Sequence, residues 1–212
     1  SMLAYSAQDL ILEPFAGLVF GMTPGESTQL AGVQHGGVLF GMLVVAVTGT
    51  LFKRSRHNVL RNWTVGGCLA SSVALFMIAF GGFMAPDWPL NASVFALGVA
   101  NGAFAVAAIG SMMALAGHGR ERREGLRMGL WGAAQAIAFG LGGFLGTVAV
   151  DVAKAFLGTP EAAYGIVFCV EGCLFVAAAL LALTLRAPQQ VARDDDMAVF
   201  GDAGLVELAE GR

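Results

Sequence analysis

The chain has 212 residues, of which 57% are hydrophobic and 13% charged, with a mean hydropathy of +0.72 and a formal net charge of −3. Ordinary globular domains carry about 25% charged residues, so the composition excludes a soluble globular domain. Fifteen acids against twelve bases also leave no basic excess for nucleic acid. The chain therefore reads as an all-α polytopic membrane protein.

A spanning helix needs about 20 mostly apolar residues, and the first candidate, Leu3 to Met22, only just supplies them because it contains Asp9 and Glu13. Five stronger spans follow: Thr28 to Phe52, Asn62 to Met84, Asn91 to Leu115, Met128 to Val150 and Ala163 to Leu185. The sequences between them are short and punctuated: Thr23 to Ser27, Lys53 to Arg61, Ala85 to Leu90 with two prolines, Ala116 to Arg127, and Asp151 to Ala162 with Gly158 and Pro160. Six helices joined by short loops predict one transmembrane bundle over residues 1–185. Beyond it, "RAPQQVARDDDMAVFGDAGLVELAEGR" has six acids and no long apolar run, and reads as a disordered cytoplasmic tail over 186–212, with a short interfacial helix at Ala198 to Ala209 as an option. The start lacks the basic region of a signal peptide, and Ser1 ahead of Met2 points to a fragment boundary or a cloning remnant.

Basic residues orient a polytopic protein, because Lys and Arg accumulate in cytoplasmic loops. Lys53, Arg54, Arg56 and Arg61 fall in the second loop, Arg120, Arg122, Arg123 and Arg127 in the fourth, and Arg186, Arg193 and Arg212 in the tail. Only Lys154 lies on the other side, so six spans with both termini cytoplasmic put eleven of the twelve bases on one face. The arginines of "GHGRERREG", residues 117 to 125, are accounted for by this topology. Both termini are therefore expected on the cytoplasmic side of the membrane.

A charged side chain at mid-bilayer costs about 2.5–3.5 kcal/mol on insertion scales, so such residues face the bundle interior, a water cavity or a ligand. Asp9, Glu13, Gln34, His35, Asn101, Gln135 and Glu171 are the candidates. Asp9 and Glu13, four apart, share one helical face, and Pro14 directly after them is expected to loosen that helix. Hydrogen bonds to neighbouring helices are sufficient to account for Asn101 and Gln135. His35 is either a packing histidine or an axial ligand for a metal centre, a task that neutral imidazole performs well. Glu171 sits near the middle of the last span, where either protonation or a buried partner must accommodate it.

Glycine supplies a second pattern. Gly32-x-x-x-Gly36, Gly37-x-x-x-Gly41, Gly98-x-x-x-Gly102, Gly125-x-x-x-Gly129 and Gly142-x-x-x-Gly146 let helix backbones approach closely. A glycine row beside His35 would also leave room for a flat ligand. Cys68, Cys169 and Cys173 all lie in apolar runs without metal-ligand spacing, and no Walker loop, zinc cluster or Ser-His-Asp arrangement is present. No enzyme is indicated.

"DLILEPFAGLVFGMTPGESTQLAGVQHGGVLFGM", residues 9 to 42, and "REGLRMGLWGAAQAIAFGLGGFLG", residues 123 to 146, resemble two stretches of the PucC/LhaA family, the bacteriochlorophyll-delivery branch of the major facilitator superfamily. The two stretches keep their order, so the resemblance covers all but the tail. Members of the family look like twelve-helix proteins of two six-helix halves, and the six helices here match the C-terminal half. Asp9, Glu13 and Pro14 fall in the acidic D-x-x-L-E-P stretch, and Gln34, His35 and Gly36 in the second-helix glycine stretch.

The resemblance implies an assembly factor that hands bacteriochlorophyll, as cargo, to antenna polypeptides in the photosynthetic membrane. In that reading glycine-lined helices form a groove for the chlorin ring. His35 is a magnesium ligand or a hydrogen-bond donor to a ring carbonyl, and Glu13 and Gln34 orient polar substituents. Two other readings stay open: a proton-coupled transporter of a small solute using Asp9, Glu13 and Glu171, and a pigment-free scaffold for antenna helices.

Overall fold

The structure is a computed structural model and describes residues 1–51, 56–116 and 124–184. Among the described residues every regular element is helical: α1 (Met2–Phe20), α2 (Pro24–Leu51), α3 (Arg56–Gly82), α4 (Leu90–Ala116), α5 (Glu124–Leu157) and α6 (Pro160–Thr184). Residues Ser1–Ala182 form one compact body. A second unit begins at Leu183, of which only Leu183 and Thr184, the end of α6, are described. The tail expected at 186–212, the arginines of the segment 117–123 and the bases Lys53 and Arg54 lie outside the described residues.

Five helices, α2 to α6, contain stretches long and apolar enough to cross a membrane. The exception is α1, whose 19 residues hold Gln8, Asp9, Glu13 and Pro14. It is nonetheless built into the body: Ile11, Leu12, Phe15 and Ala16 are all buried. Pro14 does not break it, and α1 runs on to Phe20. Gly21 then takes the left-handed conformation, φ 67°, and the Met22 amide returns to the Ala16 carbonyl at 3.2 Å. That cap is the usual glycine termination of a helix.

Two boundaries differ from the expectation drawn from hydropathy. Thr23 to Ser27 is not a loop: α2 begins at Pro24, because Thr-Pro-Gly-Glu is a capping box with proline at the first helical position. The Glu26 carboxylate accepts from both the backbone amide and the hydroxyl of Thr23, each at 2.8 Å. Likewise α5 does not stop at Val150 but continues through Asp151 and Lys154 to Leu157, where Gly158 ends it at φ 70°. A charge interrupts an apolar run without interrupting a helix. Across the turn, the Lys154 ammonium donates to the Tyr164 hydroxyl at 3.3 Å and lies 4.8 Å from its ring centre.

Lipid tails are as apolar as leucine, so helices in a bilayer are held by packing density and interhelical hydrogen bonds more than by the hydrophobic effect. Glycine provides the first of these. A Cβ on Gly37 or Gly41 of α2 would run into backbone of Phe95 or Val99 on α4, and one on Gly98 or Gly102 of α4 into the carbonyls of Gln34 or Val38 on α2. The two pairs therefore interdigitate, and the helices run parallel, later residues meeting later residues. Gly142 and Gly146 of α5 receive Leu3 and Ala7 of α1 in the same way. The other two pairs behave differently: Gly32, Gly36, Gly125 and Gly129 face open space. Aromatic rings fill the wider gaps. Phe15 is fully buried, with ring centres of Phe168 at 5.0 Å and Tyr164 at 5.5 Å, and Phe104 meets Phe175 at 6.1 Å.

The glycines thus fall into two physical classes, and substitution separates them. Gly41→Val forces backbone apart and should lower stability by about 3 kcal/mol, the upper end of ordinary overpacking costs. Gly36→Val meets nothing and should leave the unfolding midpoint unchanged. Equilibrium unfolding in mixed micelles measures both.

Candidate functional site

The register of α2 is set by its glycine contact with α4, which fixes where the side chains on its other sides emerge. Because the Gln34 backbone lies against Gly98, its side chain is carried toward α1. There the Gln34 amide donates to the Asp9 carboxylate at 3.0 Å. Gln34 is buried and Asp9 half-buried, so the bond is shielded from solvent. The pair ties α1 to α2.

His35 follows about 100° further round the helix and is exposed. Its Nδ1 lies 2.8 Å from the Ala31 carbonyl oxygen one turn back. A carbonyl can only accept, so Nδ1 carries the proton and, in the neutral ring, Nε2 keeps its lone pair. His35 also interacts electrostatically with Asp9, as does Tyr5, one turn before Asp9 on α1. Glu13 completes the row Tyr5, Asp9, Glu13 at helical spacing and is exposed.

Gly32 and Gly36 flank His35, and a Cβ at either would touch nothing within 4 Å. Both lie on the same side of the imidazole, about 60° and 100° round the helix, so that flank is bare backbone, while Leu39 one turn on is exposed. The resulting surface carries one nitrogen donor and lies beside the Asp9–Gln34 carboxylate–amide pair. Among the described residues no three or more His, Cys, Asp or Glu groups converge to cage a metal ion. What the surface offers a metal is a single axial ligand.

The remaining polar residues are placed elsewhere. Asn101 is fully buried on α4 and accepts from the Ser71 hydroxyl of α3 at 2.8 Å, a helix-to-helix bond of the kind expected for an intramembrane amide. Gln135 is half-buried on the α1–α5 seam, where its amide lies 4.0 Å from the Met2 sulfur. The Ser6 hydroxyl strengthens the same seam by donating to the Phe139 carbonyl at 2.6 Å. Glu171 is 3% exposed on α6, and neither carboxyl oxygen has a partner among the described residues. Its neighbour Gly172 packs on Phe76 of α3, and Phe168 one turn away packs on Phe15. Asp9 meets α2, whereas Phe15, about 120° away on α1, meets α6. Glu171 thus belongs to the interior and not to the Asp9–Gln34 cluster. Gln8, which hydropathy alone did not single out, is fully buried with an unpartnered amide, and its position beside Asp9 in an apolar run was the available signal.

The chain is 54% identical over 194 residues to the "Bacteriochlorophyll synthase 44.5 kDa chain" of Rhodobacter capsulatus, a match covering 91% of this chain and 44% of that protein. It is 31% identical to "Protein PucC" of the same organism, covering 85% of this chain and 39% of the relative. "Protein PucC" of Cereibacter sphaeroides is 30% identical, with 87% and 39% covered. The chain thus spans about two-fifths of the length of these curated relatives. No solved structure matches it. The family model described as PUCC protein matches residues 1–190, and the chain belongs to the PucC family.

Proposed function

We propose that this chain binds bacteriochlorophyll within the membrane and passes it to antenna polypeptides during assembly of light-harvesting complexes. The observation that carries the reading is the presentation of His35. Its Nδ1 is committed to the Ala31 carbonyl, which leaves Nε2 as the donor atom, and the bare backbone of Gly32 and Gly36 stands along one side of it. A histidine fixed through one nitrogen to a backbone carbonyl is the common arrangement for a metal ligand. A planar macrocycle with a central magnesium needs that combination: one axial nitrogen, and a flank without side chains. The residues present fit it.

In this reading His35 holds the magnesium, while Gln34, oriented by Asp9, and Glu13 meet polar substituents at the ring edge. Gly36 keeps the surface flat. Gln135, Asn101 and Glu171 act from behind, through the seams and interior that fix the positions of α1 and α2. The name of the Rhodobacter capsulatus bacteriochlorophyll synthase chain supports pigment as the cargo class, and the open glycine faces of α2 and α5 are consistent with a further six-helix half of the major-facilitator kind covering the other side of the ligand. Transfer between protein surfaces inside one membrane makes and breaks no covalent bond, so the reading requires no catalytic group.

The first test is spectroscopic. In gently solubilised protein made in a bacteriochlorophyll-producing host, His35→Ala is expected to reduce bound pigment per polypeptide at least fivefold. Unchanged near-infrared absorbance per polypeptide rejects the histidine as ligand. The second test concerns its support. A double-mutant cycle on Asp9→Ala and Gln34→Ala is expected to give a coupling energy of about 0.6–1.7 kcal/mol, from the average to the maximum found for hydrogen bonds between membrane helices. A coupling of zero would show that the pair does not stabilise the α1–α2 contact.

A further inference from the structure

Gln8 of α1, Ser72 of α3, Asn101 of α4 and Glu171 of α6 are polar, and none is more than 3% exposed. Both amide atoms of Gln8, the Ser72 hydroxyl, the Asn101 amide nitrogen and both Glu171 oxygens lack a hydrogen-bond partner among the described residues. Buried polar groups are ordinarily satisfied, so this set requires a partner that the helices do not supply to one another.

Ring contacts place all four on the seam that α6 makes with the other helices. Gln8 stands two turns before Phe15, about 20° away round α1, and Phe15 meets Phe168 of α6. Ser72 stands one turn before Phe76, about 40° away round α3, and Phe76 covers Gly172 of α6. Asn101 is about 60° from Phe104 on α4, and Phe104 meets Phe175 of α6. Glu171 lies between Phe168 and Phe175, within about 60° of each. Helix direction alternates along the chain, so α6 runs antiparallel to α1 and α3 and parallel to α4. Counted along α6, Gln8 then comes level with Phe175, Ser72 with Val176 and Asn101 with Gly172. From Glu171 to Val176 is a depth of about 7.5 Å, and each of the four sits near the middle of its helix. They form one polar layer at mid-membrane.

The layer is rich in oxygen and holds one formal charge. Besides the Glu171 carboxylate it offers Gln8 Oε1, Ser72 Oγ and the second lone pair of Asn101 Oδ1, whose first takes the Ser71 hydroxyl at 2.8 Å. Among the described residues no Lys, Arg or His is buried, so Glu171 has no basic partner. One carboxylate among neutral oxygens balances one positive charge. A divalent ion would leave a surplus charge in a low-dielectric interior, which is costly, and softer transition metals call for sulfur or imidazole. A proton on Glu171 would occupy one oxygen and leave Gln8 and Ser72 as they are. A hard cation uses oxygens from all four helices.

We infer that this layer is a binding site for a small monovalent metal cation such as sodium, held by the Glu171 carboxylate with Gln8, Ser72 and Asn101 as neutral oxygen ligands. Waters retained by the ion accept from the Gln8 and Asn101 amides. The ion ties α6, which otherwise meets α1, α3 and α4 through aromatic rings, to all three. The site needs no pigment and shares no residue with the His35 surface.

The experiment is equilibrium binding of radioactive sodium to the full chain in detergent, with choline as the balancing cation. One sodium per chain is expected, displaced by unlabelled sodium chloride and not by choline chloride. Glu171→Gln keeps the shape and removes the charge, and is expected to cut bound sodium at least tenfold. Gln8→Leu is expected to cut it at least threefold, and Ser72→Ala gives the same reading should either variant fail to fold. Asp151→Asn, outside the layer, leaves binding unchanged. Absence of sodium binding, or equal binding in Glu171→Gln, overturns the assignment. An unfolding midpoint that responds through Glu171 to acid and not to sodium identifies a proton in place of the metal ion, and overturns it equally.

Discussion

The close approach of α2 and α4 is the constraint on which the other features rest. Where two helices are separated by side chains, their relative rotation can adjust by rotamer changes. Where glycines let backbone meet backbone, as at Gly37, Gly41, Gly98 and Gly102, rotation is fixed to within the width of an atom. That single contact decides that Gln34 reaches α1 and that His35 and its flanking glycines face outward. In a bilayer, where apolar surface gains little by leaving lipid, such contacts carry specificity that a soluble protein would obtain from its core.

The interior behind this contact is unusual in its polar content. Gln8 and Glu171 are buried without partners among the described residues, and Asn101 uses its carbonyl but not its amide nitrogen. They enter from α1, α6 and α4, the helices joined by the Phe15 and Phe104 aromatic contacts. An apolar core of equal volume would pack these helices with less penalty. The polar interior and the His35 surface share α1, whose Gln8 side chain turns inward while the adjacent Asp9 turns toward α2.

Much of this was legible from residue order because hydropathy in a membrane chain reports directly on span length. All six helices fall where the apolar runs place them. What hydropathy misjudges is ends, since helix termination is a matter of caps. The Thr23–Glu26 box and Gly158 set boundaries that Ser27 and Asp151 had seemed to mark. The glycine motifs were legible as a list but not as two classes, because spacing cannot tell a glycine under a neighbouring carbonyl from one facing outward. Of the polar residues, the Asp9–Gln34 meeting follows only from tertiary register, and separations of 25 residues in sequence carry no hint of it.

The length of α5 has a mechanical corollary. At 34 residues it extends about 51 Å, well beyond a hydrocarbon core of about 30 Å. It is bound edge to edge with α1 through Gly142 and Gly146, so the two helices behave as a stiff beam of which one member outreaches the bilayer. Its C-terminal end is tied to α6 across the turn by the Lys154–Tyr164 hydrogen bond, so the extra length is anchored to the bundle and does not hang free.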